Sequence, residues 1–188
     1  MKRKTILLSI ALGFLTSALS AQAITPINAL PCVINTSGTY VLTRNLTWVA
    51  GPQGAITITP QSGPIILDLK GHTITGPGNN QIGIFVGPSA NTGSITIQNG
   101  TPTKLGVWRR GAGVGERLFI KYYVQKIAFT NVATECVTFQ HVNSSTVSGC
   151  SFDGSTQYGI LDANSQGGNR YTSNTFDGKQ LFMLLVWD

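Results

Sequence analysis

The chain has 188 residues, of which 11% are charged and 22 are glycine, and its hydrophobic fraction is 41%. That length needs only one core, and so few charges among so many glycines argue against an all-helical protein with long charged faces. The net charge of +6 does not describe a nucleic-acid binder either: Lys2, Arg3 and Lys4 supply three of the cations, and six more cluster between 104 and 126 instead of spreading along a face with aromatics between them.

The first element is a targeting segment. Lys2 to Lys4 form a positive head, Thr5 to Leu19 an apolar stretch, and Ala21-Gln22-Ala23 a small-residue site, which together predict a signal peptide over 1–23 cut between Ala23 and Ile24. The apolar stretch is shorter than the ~20 residues a membrane-spanning helix requires. Its removal takes away three cations and no acid, leaving a mature domain over 24–188 with a net charge of +3 and no transmembrane segment. The expected setting is secreted, periplasmic or at the cell surface.

Residues 24–50 precede the first clear repeat and are expected to pair with it and cap the open end. From there short period-two runs follow one another: Ile56-Thr-Ile58, Ile65-Ile-Leu67-Asp-Leu69, His72-Thr-Ile74, Ile84-Phe-Val86 and Ile95-Thr-Ile97. Each reads as a strand, and the Gly-Pro, Pro-Gly, Asn-Gly and Asp-Gly pairs between them read as tight turns.

The runs repeat. Phe129, Phe152 and Phe176 are spaced by 23 and 24 residues, Val137 and Ile160 by 23, and Ile74 and Ile97 again by 23. Strands this short cannot bury an apolar face alone, so coils must stack and pair equivalent strands in parallel, about 4.8 Å apart. The prediction is an all-β fold, a right-handed parallel β-helix (solenoid) of about seven coils, with the three phenylalanines in one inward column. A sandwich would show turns at similar spacing but no register between distant segments.

Residues 101–126 depart from the pattern, since Ile97 to Phe129 is 32 residues and the stretch carries clustered Arg and Lys with aromatics. A loop excursion, a degenerate coil and a segment read in a shifted frame all fit it. The tail 181–188, apolar and without turn residues, is read either as folding over the last coil or as the mark of a truncated gene product.

Ser37-Gly-Thr-Tyr-Val-Leu-Thr-Arg-Asn-Leu-Thr, Ile56-Thr-Ile and above all Leu67-Asp-Leu-Lys-Gly-His-Thr-Ile74 resemble bacterial right-handed β-helix proteins of the pectin-lyase-like and NosD-like type. The resemblance covers about residues 30–100 and resumes near 127. It implies the fold and an extracytoplasmic setting. Because the family includes lyases and hydrolases as well as binding and surface proteins, it does not name a reaction.

Few residues suggest chemistry. Asp153 and Asp177, each followed by Gly, are the acids in repeat register. One coil apart they approach the carboxyl separation of a retaining glycosidase, yet Asp-Gly after a strand is first of all turn chemistry. Asp68 and His72 are read as shaping a coil rather than as an acid–base pair. Trp108, Arg109 and Arg110 could stack on a sugar and grip a carboxylate, without acids nearby to hold calcium. Cys32, Cys136 and Cys150 leave one thiol over; a Cys136–Cys150 bridge and three buried thiols are both open readings. No zinc pattern or other metal site and no cofactor motif is present.

The function expected is polysaccharide binding on a rigid Ser/Thr/Asn-rich face. The alternatives are a polysaccharide lyase or glycoside hydrolase using Asp153 and Asp177, and a structural adhesin or passenger fragment.

Overall fold

In a computed structural model of the chain, residues 23–49, 54–59, 63–77, 82–87, 93–103, 106–109, 121–132, 135–140, 142–154, 157–163, 165, 168–177 and 181–185 are described. The signal peptide lies outside them apart from Ala23, as does Arg110. Among the described residues no helix is long and apolar enough to cross a membrane.

Every strand pairing is parallel, and successive strands are assigned in rotation to three faces. The first face holds β1 (Ile24–Ile27), β3 (Gly38–Leu42), β6 (Ile65–Asp68), the start of β9 (Ser94–Thr103), the start of β11 (Lys121–Thr130), β13 (Thr146–Ser148) and β16 (Arg170–Thr172). The second face holds β4 (Leu46–Thr47), β7 (Thr73–Thr75), the ends of β9 and β11, β14 (Ser151–Asp153) and β17 (Thr175–Asp177). The third face is a seven-stranded sheet of β2 (Cys32–Ile34), β5 (Ile56–Ile58), β8 (Ile82–Val86), β10 (Gly106–Arg109), β12 (Glu135–Gln140), β15 (Tyr158–Ala163) and β18 (Leu181–Leu185). The architecture is an all-β parallel solenoid of roughly four interpretable turns, consistent with the right-handed β-helix that the sequence predicts.

Apolar files hold the turns together. Phe129 pairs in register with Phe152, and Phe152 with Phe176. Their rings stack at centroid distances of 5.2 and 4.8 Å, within the range where aromatic pairs attract beyond simple burial. Phe129 and Phe152 are fully buried, whereas Phe176, on the last strand of its face, is 39% exposed. Val137 meets Ile160 as the spacing predicts.

The N-terminal register differs from the expectation. Ile74 pairs with Leu46 and Pro102, while Ile97 pairs with Leu67 and Val124. Ile74 and Ile97 therefore belong to different faces, and the local period runs from 27 to 30 for pairs such as Gly38–Ile65, Ile56–Ile84 and Ile65–Ile95. Part of the surplus lies at the first corner, where Asp68 to Thr73 takes two residues more than Gln98 to Thr101, and the rest in the connections into and out of the third face, because burial fixes register within the strand and not the length of a loop.

Parts of 101–126 lie in paired strands. Thr101–Thr103 end β9, Gly106–Arg109 form β10 between β8 and β12, and Lys121–Lys126 open β11. The 32-residue interval from Ile97 to Phe129 compares two faces, since the partner of Ile97 is Val124. Strands at both ends and in the middle of the segment join the sheets, and 104–105 and 110–120 lie outside the described residues. Leu181–Leu185 of the apolar tail pairs with β15. None of the three cysteines is in a disulfide, so there is no Cys136–Cys150 bridge.

Side chains complete the hydrogen bonding at the corners. Asn169 accepts from Ser145 N–H at 2.8 Å and donates to Val142 O at 2.8 Å. Asn174 repeats this on Cys150 N–H and Val147 O, both at 3.0 Å. Each amide thus satisfies one donor and one acceptor of the preceding coil, groups whose burial unpaired would cost about 1–3 kcal/mol apiece.

Candidate functional site

From β9 onward, the corner between the first and second faces turns on a single left-handed residue. Asn99, Lys126, Gly149 and Ser173 each follow a first-face strand and have φ of 57°, 52°, 60° and 55°, a left-handed conformation that a non-glycine side chain adopts at a small cost. Stacked through successive coils, this bend produces a groove of about 380 Å³ lined by Gly71, Asn99, Gly100, Thr101, Lys126, Ile127, Ala128, Gly149 and Ser151. The volume is in the range of small-ligand sites.

Small residues keep the groove open, and one of them is fixed from the inside. A Cβ at Gly100 would lie 2.3 Å from the Leu69 side chain, so close packing of the core forces glycine there. The polar lining is Asn99, Thr101, Ser151 and the exposed Lys126.

Beside the groove, the outer side of the second face carries a file of oxygen-bearing residues. Thr47, Thr75, Thr103, Thr130, Asp153 and Asp177 are in register from coil to coil. Thr103 and Thr130 hydroxyls hydrogen-bond at 3.0 Å. A second file, two residues earlier in the same strands, contains Thr73 paired with Thr101, and Ser151 paired with Thr175. The surface is therefore a ruled array of hydroxyls, spaced about 4.8 Å along the axis, that ends in two exposed carboxylates.

The other candidates are dispersed. Arg109 pairs in register with Val86 and Phe139, and Trp108 with Phe85 and Thr138, all on the third face. Asp68 serves the first corner: it accepts from Lys70 N–H at 2.8 Å, Gln98 Nε2 at 3.2 Å and Asn99 Nδ2 at 3.2 Å. Desolvation pushes its carboxyl up, but those bonds and the Lys70 charge outweigh it and hold the group below the usual carboxylate range. The His72 backbone closes the same turn, its N–H donating to Leu69 O at 2.7 Å.

Asp162 is a feature that residue patterning passed over. It is 1% exposed and accepts from Ser165 Oγ, Tyr171 Oη and Asn169 Nδ2, the last at 2.9 Å. Burial, the hydrogen bond to Asp162 and its charge all push the Tyr171 hydroxyl well above its ordinary value. This cluster is enclosed by its own donors and plugs the interior near the C-terminal coils. A signal for it existed: extending the Val137–Ile160 register by two residues places Asp162 opposite buried Phe139.

Among the described residues no group of three or more His, Cys, Asp or Glu is arranged to hold a metal ion. Comparison with protein-family models, curated proteins and solved structures finds no match to this chain.

Proposed function

We propose that this protein is exported, loses residues 1–23, and as a β-solenoid of about seven coils binds polysaccharide along the groove between its first and second faces. The observation that carries the reading is the groove itself. Four successive coils contribute Gly71, Asn99, Lys126 and Gly149 to one open channel beside a file of threonines. A sugar polymer presents hydroxyls at regular steps, and a rigid array of Thr, Ser and Asn groups already held in place can pair with them without ordering costs. Seven strands on the third face support the coil count. The setting is secreted, periplasmic or on the cell surface, with no nucleic-acid partner.

Depletion of the mature protein on insoluble polysaccharides tests this. Binding without release of reducing ends or unsaturated products is expected, and Ser151→Trp, which fills the groove, abolishes it while leaving thermal unfolding unchanged. Unaltered retention of the Trp variant would overturn the assignment to this groove. Export is checked by sequencing the N-terminus of the secreted protein, expected to begin at Ile24.

A second reading, a lyase or glycoside hydrolase, draws on the register of Asp153 with Asp177. Two carboxyl groups one coil apart approach the ~5 Å separation of retaining glycosidases. Glycan turnover by the native protein that disappears in Asp153→Asn/Asp177→Asn would establish it.

A further inference from the structure

We infer that the groove selects glycans bearing isolated anionic groups, with Lys126 as the counter-charge. The inference rests on the polysaccharide-binding reading above. Lys126 is the cation in the groove lining, it is exposed, and no ion pair occupies it among the described residues. Its position follows from the corner: the left-handed bend at φ 52° places the residue at the middle of the channel, one coil from Asn99 and one from Gly149.

The surroundings limit what can bind beside that one charge. Toward the N-terminal end, the ionised Asp68 carboxylate is held by Asn99 Nδ2 and offsets its neighbour Lys70. Across the second face, Asp153 and Asp177 continue the threonine file as exposed carboxylates. A polymer charged on every sugar would carry one anion to Lys126 and others toward these carboxylates. A polymer with neutral units between its charges would place its anion at Lys126 and its hydroxyls against Thr101, Ser151 and Asn99. Carboxylate, sulfate and phosphate substituents share this chemistry, and all accept the ammonium's hydrogen bonds.

The test compares three soluble polymers by affinity electrophoresis of the mature protein: hyaluronan, with one carboxylate per disaccharide; polygalacturonate, with one on every sugar; and neutral dextran. Hyaluronan is expected to bind tightest. Lys126→Asn is the variant of choice, because Asn99 already occupies the same corner position at φ 57°, so the backbone accepts it. It should weaken hyaluronan binding about five-fold, the scale of one exposed charge contact, and dextran binding by less, while Lys126→Arg restores hyaluronan. Equal affinity of Lys126→Asn and the native protein for hyaluronan, or tighter binding of polygalacturonate, overturns the charge selection and leaves the groove assignment standing. Failure of all three polymers to bind overturns both.

Discussion

The N-terminal and C-terminal coils solve the same stacking problem with different materials. Early coils are long, with partners such as Ile65 and Ile95 thirty residues apart, and they fill their interior with Ile34, Ile56, Ile58, Ile65, Leu67 and Ile74. Later coils are short, with Phe129 and Phe152 twenty-three residues apart; their interior sets stacked phenylalanines beside the buried Asp162, and half-buried Asn169 and Asn174 brace the corners. Coil length is therefore free to vary in the connections, but what each strand buries is not. The buried Asp162 is tolerated in the later coils because Ser165, Tyr171 and Asn169 all donate to it.

The largest expected break in that contrast is Phe152→Ala. It removes the middle ring of the stack and should destabilise the protein by about 3–5 kcal/mol, read as a lowered urea midpoint. Asp162→Ala comes next. It removes the buried acceptor to which Tyr171, Ser165 and Asn169 donate and should cost about 2–4 kcal/mol in the same titration. In the apolar half, Gly100→Ala drives a methyl group into Leu69, for an expected loss of about 1–3 kcal/mol, read in the same titration.

The smallest effect concerns acid. The Asp68 carboxyl is held below its ordinary value, so its contribution is present at neutral pH and is lost as pH falls through the depressed folded-state value. Asp68→Asn should therefore flatten the acid limb of stability against pH slightly, without altering the alkaline limb. An unchanged acid limb would mean that the corner bonds to Lys70 and Asn99 do not favour the ionised form.

The sequence made the C-terminal register plain because conspicuous residues, Phe129, Phe152 and Phe176, recur in one file with little variation in loop length. It misled in the N-terminal half for the converse reason. A period of 23 carried across from the short coils linked Ile74 to Ile97, which lie on different faces, because Ile recurs on every face and does not identify its own column. Asp153 and Asp177 were visible as a registered pair, but the groove was not. It is formed by left-handed backbone at Asn99, Lys126 and Gly149 and by the space above Gly100, and neither feature leaves a periodic trace in residue type.

The most direct measurement is the distance between spin labels at Thr47→Cys and Asp177→Cys in a Cys32→Ser background, by pulsed electron paramagnetic resonance. These positions end a file of five in-register steps, which predicts a separation of roughly 24 Å, with Thr75→Cys and Asp153→Cys at roughly 14 Å. Separations that do not grow with the number of steps between labels would contradict the parallel stack and the groove built on it.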